Sequence, residues 1–153
     1  MPEKQNKSPC LIKIVLDTNI LVSSLMCDKG ASARILDLVE DDVFIPYYTT
    51  KILEEYTRVL KYPRLKIKQQ YMEWILLLIE QKGICMEVAI PSKNKMIDES
   101  DRMFYDLHKV AEVILITGNS KHYPKESSIM NPADFMKYYN SISQSTYAAN
   151  LKN

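Results

Sequence analysis

Only three of the 153 residues are glycine. A phosphate-cradling or dinucleotide-binding loop needs several. No G-x-x-x-x-G-K, G-x-S-x-G or glycine-rich dinucleotide turn occurs, so those chemistries are excluded. Cysteine is equally sparse, with Cys10, Cys27 and Cys85 odd in number and widely spaced. They make no C-x-x-C zinc pair and no disulfide framework, and read as small buried hydrophobes in a reducing, cytoplasmic protein. Two histidines, His108 and His122, are too few for a histidine-rich metal centre. A bound metal would be held by oxygen, which points to magnesium or manganese. A strong net charge is missing as well. At +1 there is no all-round basic coat, so any nucleic-acid contact is confined to a local patch. Long apolar runs are absent too. The densest, Trp74–Ile79, falls well short of the roughly 20 residues that span a bilayer. Met1–Pro9 has no apolar h-region, so neither a secretory signal nor a membrane partner is expected.

What is present is an ordinary globular composition, 46% hydrophobic and 25% charged, at a length that suits one core. Residues 1–10 read as a flexible tail, 11–140 as one domain and 141–153 as a loose polar tail. Leu11–Leu16 is aliphatic and β-branched, as a central parallel strand buried on both faces should be. It ends at Asp17-Thr18-Asn19, all good helix-capping residues. A helical stripe runs over Ala31–Asp42. Val43–Pro46 is expected as a short strand stopped by its proline. Thr49 or Thr50 then caps a helix to about Leu60, broken at Tyr62-Pro63. Further helices are expected at about 67–82, ended by Gly83, at Asp98–Val110, and after Pro132. Cys85–Ile90, Val113–Thr117 and Ser127–Met130 read as strands. This alternation argues for a parallel sheet with helices on both faces.

Ligands of such sheets bind beyond the carboxyl ends of the strands. Asp17 and Thr117 stand at two such ends, so if their strands are neighbours both open on one crevice. Asp17 as a plain helix N-cap is the alternative. In the helix after Thr49, successive residues turn by about 100°. Counted from Ile52, Glu55 falls at the flank of the apolar arc and Glu54 on the solvent side. A carboxylate at a buried margin needs a partner, either a metal ion or an arginine or lysine. Asp98-Glu99-Ser100-Asp101 opens another helix. Asp98 suits a capping box, while Asp101 stands at the edge of the stripe Met103, Phe104, Leu107, Val110 and can face the crevice. Arg58, Lys61, Arg64, Lys66 and Lys68 cluster around Tyr62, either as a solvated helix end or as phosphate contacts with a stacking aromatic.

Taken together, these blocks resemble the PIN-domain family. Ile14–Asn19 is similar to its opening strand with D-T-N, and Ile52-Leu53, Glu55-Tyr56 and Val59-Leu60 to its second motif. Asp98–Asp101 with Phe104-Tyr105, followed by Val113–Gly118, is similar to its third. The agreement in order and spacing runs from about residue 12 to 136. The stretch Thr117–Pro124 is similar to PIN-family toxins of bacterial toxin–antitoxin modules. The resemblance implies a three-layer α/β/α sandwich and a Mg2+- or Mn2+-dependent endoribonuclease. It carries over Asp17, Glu55 and Asp101 as catalytic, metal-binding acids. Asn19 and Thr117 would support them, and an antitoxin partner and a homodimer are also implied. Many PIN domains have acids directly after T-G and again two residues on, where this chain has Asn119 and Lys121. Asp98 is the acid that would compensate as a metal ligand. Asn119 would join the support, and Lys121, with Arg58, Lys61 and Arg64, would contact RNA. The competing expectation is a weak or inactive PIN-like module that binds RNA or a partner protein. A phospho-acceptor receiver domain is disfavoured, since residues 12–19 supply a single Asp.

Overall fold

The computed structural model describes residues 11–152, so the tail expected over 1–10, with Cys10, lies outside the described residues. Five strands, β1 Ile12–Leu16, β2 Phe44–Tyr48, β3 Ile84–Cys85, β4 Ile114–Ile116 and β5 Ile129–Met130, form one sheet. Six α-helices cover it: α1 Thr18–Met26, α2 Ala31–Glu40, α3 Thr50–Leu60, α4 Gln69–Lys82, α5 Arg102–Ala111 and α6 Pro132–Leu151. The strand order is β3-β2-β1-β4-β5, with every pairing parallel. The result is the expected three-layer α/β/α sandwich.

The first strand is the middle one. Ile14, Val15 and Leu16 are fully buried, which is why β1 reads as an unbroken aliphatic run rather than an alternating one. β1 pairs directly with β4, Leu16 opposite Ile116, so the loops after both strands open on the same side. The core continues through Leu115, Ile116, Phe44, Ile52 and Phe135, each fully buried.

Several expectations are corrected. Pro46 does not stop β2; the strand runs through it to Tyr48. Its carbonyl lies beside Gly83, on the β3 side, and β3 pairs only from Tyr47 onward, so the missing N–H interrupts no ladder bond. A Cβ at Gly83 would sit 2.4 Å from the Ile79 carbonyl and 2.5 Å from that of Pro46, so this position requires glycine. The strand expected over Cys85–Ile90 shrinks to the two residues of β3, at the edge of the sheet. The helix expected from Asp98 begins as a 3-10 turn, Glu99–Asp101, before α5. The loose tail expected from Ser141 is helical, because α6 continues to Leu151. Cys27 and Cys85 are exposed rather than buried, one just past the end of α1 and the other on the edge strand.

Glycine scarcity leaves a mark on the backbone. The left-handed positions with φ of 52–60° are filled by Asp42, Lys66 and Glu112, where glycine would be unstrained.

Candidate active site

Asp17 follows the last residue of β1 and stands just before α1, with extended backbone angles. It is not used as a side-chain helix cap. Its Oδ2 accepts hydrogen bonds from Thr117 Oγ1 at 2.8 Å and from Tyr123 Oη at 2.9 Å. Asp17 is only 6% exposed, and burial raises its pKa. The Thr117 and Tyr123 hydroxyls, with the nearby Thr18 and Asn19 N–H groups, pull the other way. Tyr123 is itself pushed up by burial and by the Asp17 charge, so it stays a proton donor.

The polar supports tie the two strand ends together. Thr117, fully buried, also accepts from the Asn119 backbone N–H at 3.0 Å. Asn19 Oδ1 accepts from the Gly118 N–H at 3.0 Å, bridging the loops after β1 and β4. Tyr56 on α3 donates to the Leu16 carbonyl and stacks on Phe104 of α5 at 6.3 Å, bracing the end of β1 against both helices.

Asp101 closes the 3-10 turn before α5 and faces the same crevice. Its pKa is raised to about 6 by burial first, then by the charges of Asp17 and Asp98, with His122 opposing. His122 Nδ1 lies 3.4 Å from Asp101 Oδ2, within ion-pair distance. That buried oxygen has no hydrogen-bond partner among the described residues.

Glu55 departs from the expected cluster. The helical phase is as read, with Glu54 exposed and Glu55 partly buried. Its partner, however, is Arg58, whose Nη2 lies 2.8 Å from both carboxylate oxygens. Asp98 is spent as a cap, accepting from Ser100 N at 2.9 Å and Ser100 Oγ at 2.8 Å; these bonds hold its pKa below the usual carboxylate range. Among the described residues no three of His, Cys, Asp and Glu are grouped so as to hold a metal ion. The structure therefore brings Asp17 and Asp101 together with Thr117, Asn19 and Asn119, and leaves Glu55 and Asp98 engaged elsewhere.

Arg58 and Arg64 lie 5.3 and 5.5 Å from the Tyr62 ring centroid, and Lys61 and Lys121 are exposed. The loop carrying His122 and Tyr123 is pinned to α5 through Glu126, which meets Lys109 at 2.8 Å and His108 and Tyr105 at 3.3 Å. Sequence reasoning gave His122 and Tyr123 no role. The signal was the stretch Thr117–Pro124, which places a tyrosine six residues beyond the strand-end threonine.

The PIN domain profile matches residues 13–121, from the first strand through the loop after β4. The chain belongs to the PIN-domain family. An uncharacterized protein of Methanocaldococcus jannaschii is similar to it, 28% identical over 110 residues that make up 71% of each chain. PIN domains are generally nucleases acting on phosphodiester bonds. The matched span of this PIN domain contains Asp17, Asn19, Glu55, Asp101 and Thr117, and no helix among its described residues is long and apolar enough to cross a membrane.

Proposed function

We propose that this PIN domain is a magnesium- or manganese-dependent endoribonuclease whose acids are Asp17 and Asp101, joined by Glu55 when Arg58 releases it. One observation carries the reading. Asp101 has a buried oxygen that no hydrogen bond satisfies among the described residues and a pKa raised by burial and by the neighbouring Asp17. Two carboxylates pressed together at the carboxyl end of a parallel sheet are relieved by a cation. The donors are all oxygen, which fits a hard divalent ion. Such an ion supplies a water of lowered pKa and offsets charge on the phosphate oxygens.

The chain's own residues do the rest. Thr117 and Tyr123 fix the Asp17 carboxylate by donating to one of its oxygens. Asn19 holds the Gly118 backbone, and Asn119 donates its backbone N–H to Thr117, so the relay from the loop after β4 to Asp17 is continuous. Asp98, already capping, acts through its charge on Asp101. Arg58, Lys61, Arg64 and Lys121 are assigned to phosphate contacts, with Tyr62 as a stacking surface. The same reading extends to a toxin component in the cytoplasm, held by an antitoxin protein and self-associating as a homodimer. Its support is the similarity of Thr117–Pro124 to such toxins.

The test is Asp17→Asn in a cleavage assay with Mg2+ or Mn2+, paired with calorimetric titration of the metal. Loss of both cleavage and metal binding in a folded variant is expected; retained cleavage in a clean preparation overturns the assignment. A second reading, a weak or inactive module that binds RNA or a protein, is favoured by the bidentate hold of Arg58 on Glu55. Metal binding by the wild-type chain in the presence of RNA separates the two.

A further inference from the structure

A cavity of about 250 Å3 opens where the start of α3 meets the 3-10 turn and first residues of α5, lined by Lys51, Val88, Pro91, Met103 and Asp106 among others. Asp106 is 6% exposed, yet its Oδ1 has no hydrogen-bond partner among the described residues. A buried carboxylate oxygen without a donor is costly and uncommon.

Arg102 makes no hydrogen bond to it among the described residues. Arg102, four residues earlier, directs Nε to Glu99, Nη1 to the carbonyl and hydroxyl of Ser92, and Nη2 to the Asn94 carbonyl and Glu99. The other acids at the cavity are engaged as well. Glu99 is held by Arg102, and Glu87 by the N–H and hydroxyl of Thr50. Asp106 is thus an acceptor awaiting a donor. Lys51 makes no ion pair within 4.0 Å among the described residues.

We propose that this cavity binds a guanine base of the RNA strand, an inference that rests on the ribonuclease reading. The volume is below the roughly 300–1,000 Å3 of pockets for drug-sized ligands, and suits one flat heterocycle. Val88, Pro91 and Met103 offer it apolar walls. Guanine alone among the four bases presents two adjacent donors, N1–H and N2–H, that match a carboxylate, next to a carbonyl, O6, that suits a lysine. Adenine and cytosine place ring acceptors beside their single amine, and uracil flanks its one N–H with carbonyls. The placement also fits. Lys51 lies one helical turn, about 6 Å along the axis, before Glu55, and Glu99 and Arg102 at the cavity flank Asp101.

The experiment titrates GMP, AMP, CMP and UMP into the full chain, wild type and Asp106→Asn, and maps cleavage positions on an unstructured RNA. Wild type should bind GMP at least about tenfold more tightly than the others, the discrimination typical of a bidentate base contact. Asp106→Asn, folded by circular dichroism, should lose that preference. Lys51→Ala, an exposed first-turn residue of α3, should weaken GMP most. Equal binding of all four nucleotides, or a GMP preference unchanged in Asp106→Asn, overturns the proposal. The two readings fail separately. GMP preference without RNA cleavage keeps the pocket and sinks the nuclease, whereas cleavage lost in Asp17→Asn but unbiased in base keeps the nuclease and sinks the pocket.

Discussion

Tyr123 donates its hydroxyl to Asp17 across 106 residues of chain, at 2.9 Å and in a buried setting. With Thr117 at 2.8 Å it gives Asp17 two neutral donors on one oxygen. Tyr123→Phe should therefore cost about 1–2 kcal/mol in urea unfolding and raise the Asp17 pKa further. Thr117→Val should act in the same direction. The Asp17 titration, followed by carboxylate NMR in both variants, checks the sign.

Asp101 makes the metal-free protein sensitive to pH. Its folded pKa of about 6 lies above the ordinary 3.8, so the folded state holds its proton more tightly than the unfolded state. The stabilisation is full below about pH 4 and is lost as pH rises through about 6. Asp101→Asn should accordingly be more stable than wild type at pH 7 in a chelator, with the advantage gone near pH 4. Denaturation midpoints across that window test this, and an advantage that grows toward acid pH would contradict it.

Arg58 and Glu55 form an i, i+3 pair in which the arginine side chain is 58% exposed. Such pairs contribute about 0–1 kcal/mol, so Arg58→Ala should barely move stability. It should instead strengthen Mg2+ or Mn2+ binding by freeing Glu55, and Glu55→Gln in the same background should cancel the gain. Weaker binding in Arg58→Ala would mean that Glu55 does not serve the metal.

The two halves of α6 should differ sharply. Phe135 is fully buried and packs edge-on against Phe44 with centroids 5.0 Å apart; Phe135→Ala should cost about 3–5 kcal/mol. From Ser141 onward nearly every residue is exposed, so a chain ending at Asn140 should keep its melting temperature within a degree or two while losing measurable helical ellipticity.

Glu112 ends α5 in the left-handed region, with φ of 54°. Glu112→Gly should stabilise the protein by about 0.5–1 kcal/mol, because glycine meets no steric penalty at such a C-terminal cap. A loss of stability would show that the glutamate makes a compensating contact.

How much of this could be read from the sequence follows from how local each cause is. β1 and β4 were legible because burial on both faces leaves an uninterrupted aliphatic signature, and their pairing put Asp17 beside Thr117. The phase of Glu55 against Glu54 was legible because helical periodicity needs only a few residues. The partner of Glu55 was not, since a metal ion and an arginine can each satisfy the same carboxylate and the sequence does not choose between them. Tyr123 was missed because its contact is with a residue over a hundred positions away. The length of β3 was overestimated, since alternation marks a candidate strand and an edge position decides how much of it pairs. The far half of α6 was read as loose because it has few apolar residues to pack, yet nothing in Ser141–Leu151 breaks a helix.

The order of the strands has a further consequence during synthesis. β1 is made before the other four strands but sits in the middle of the sheet, and its acid waits about a hundred residues for Thr117. No nascent chain that stops short of Tyr123 can hold Asp17 in its finished surroundings, so the acid pair matures only after the stretch through Tyr123 has left the ribosome.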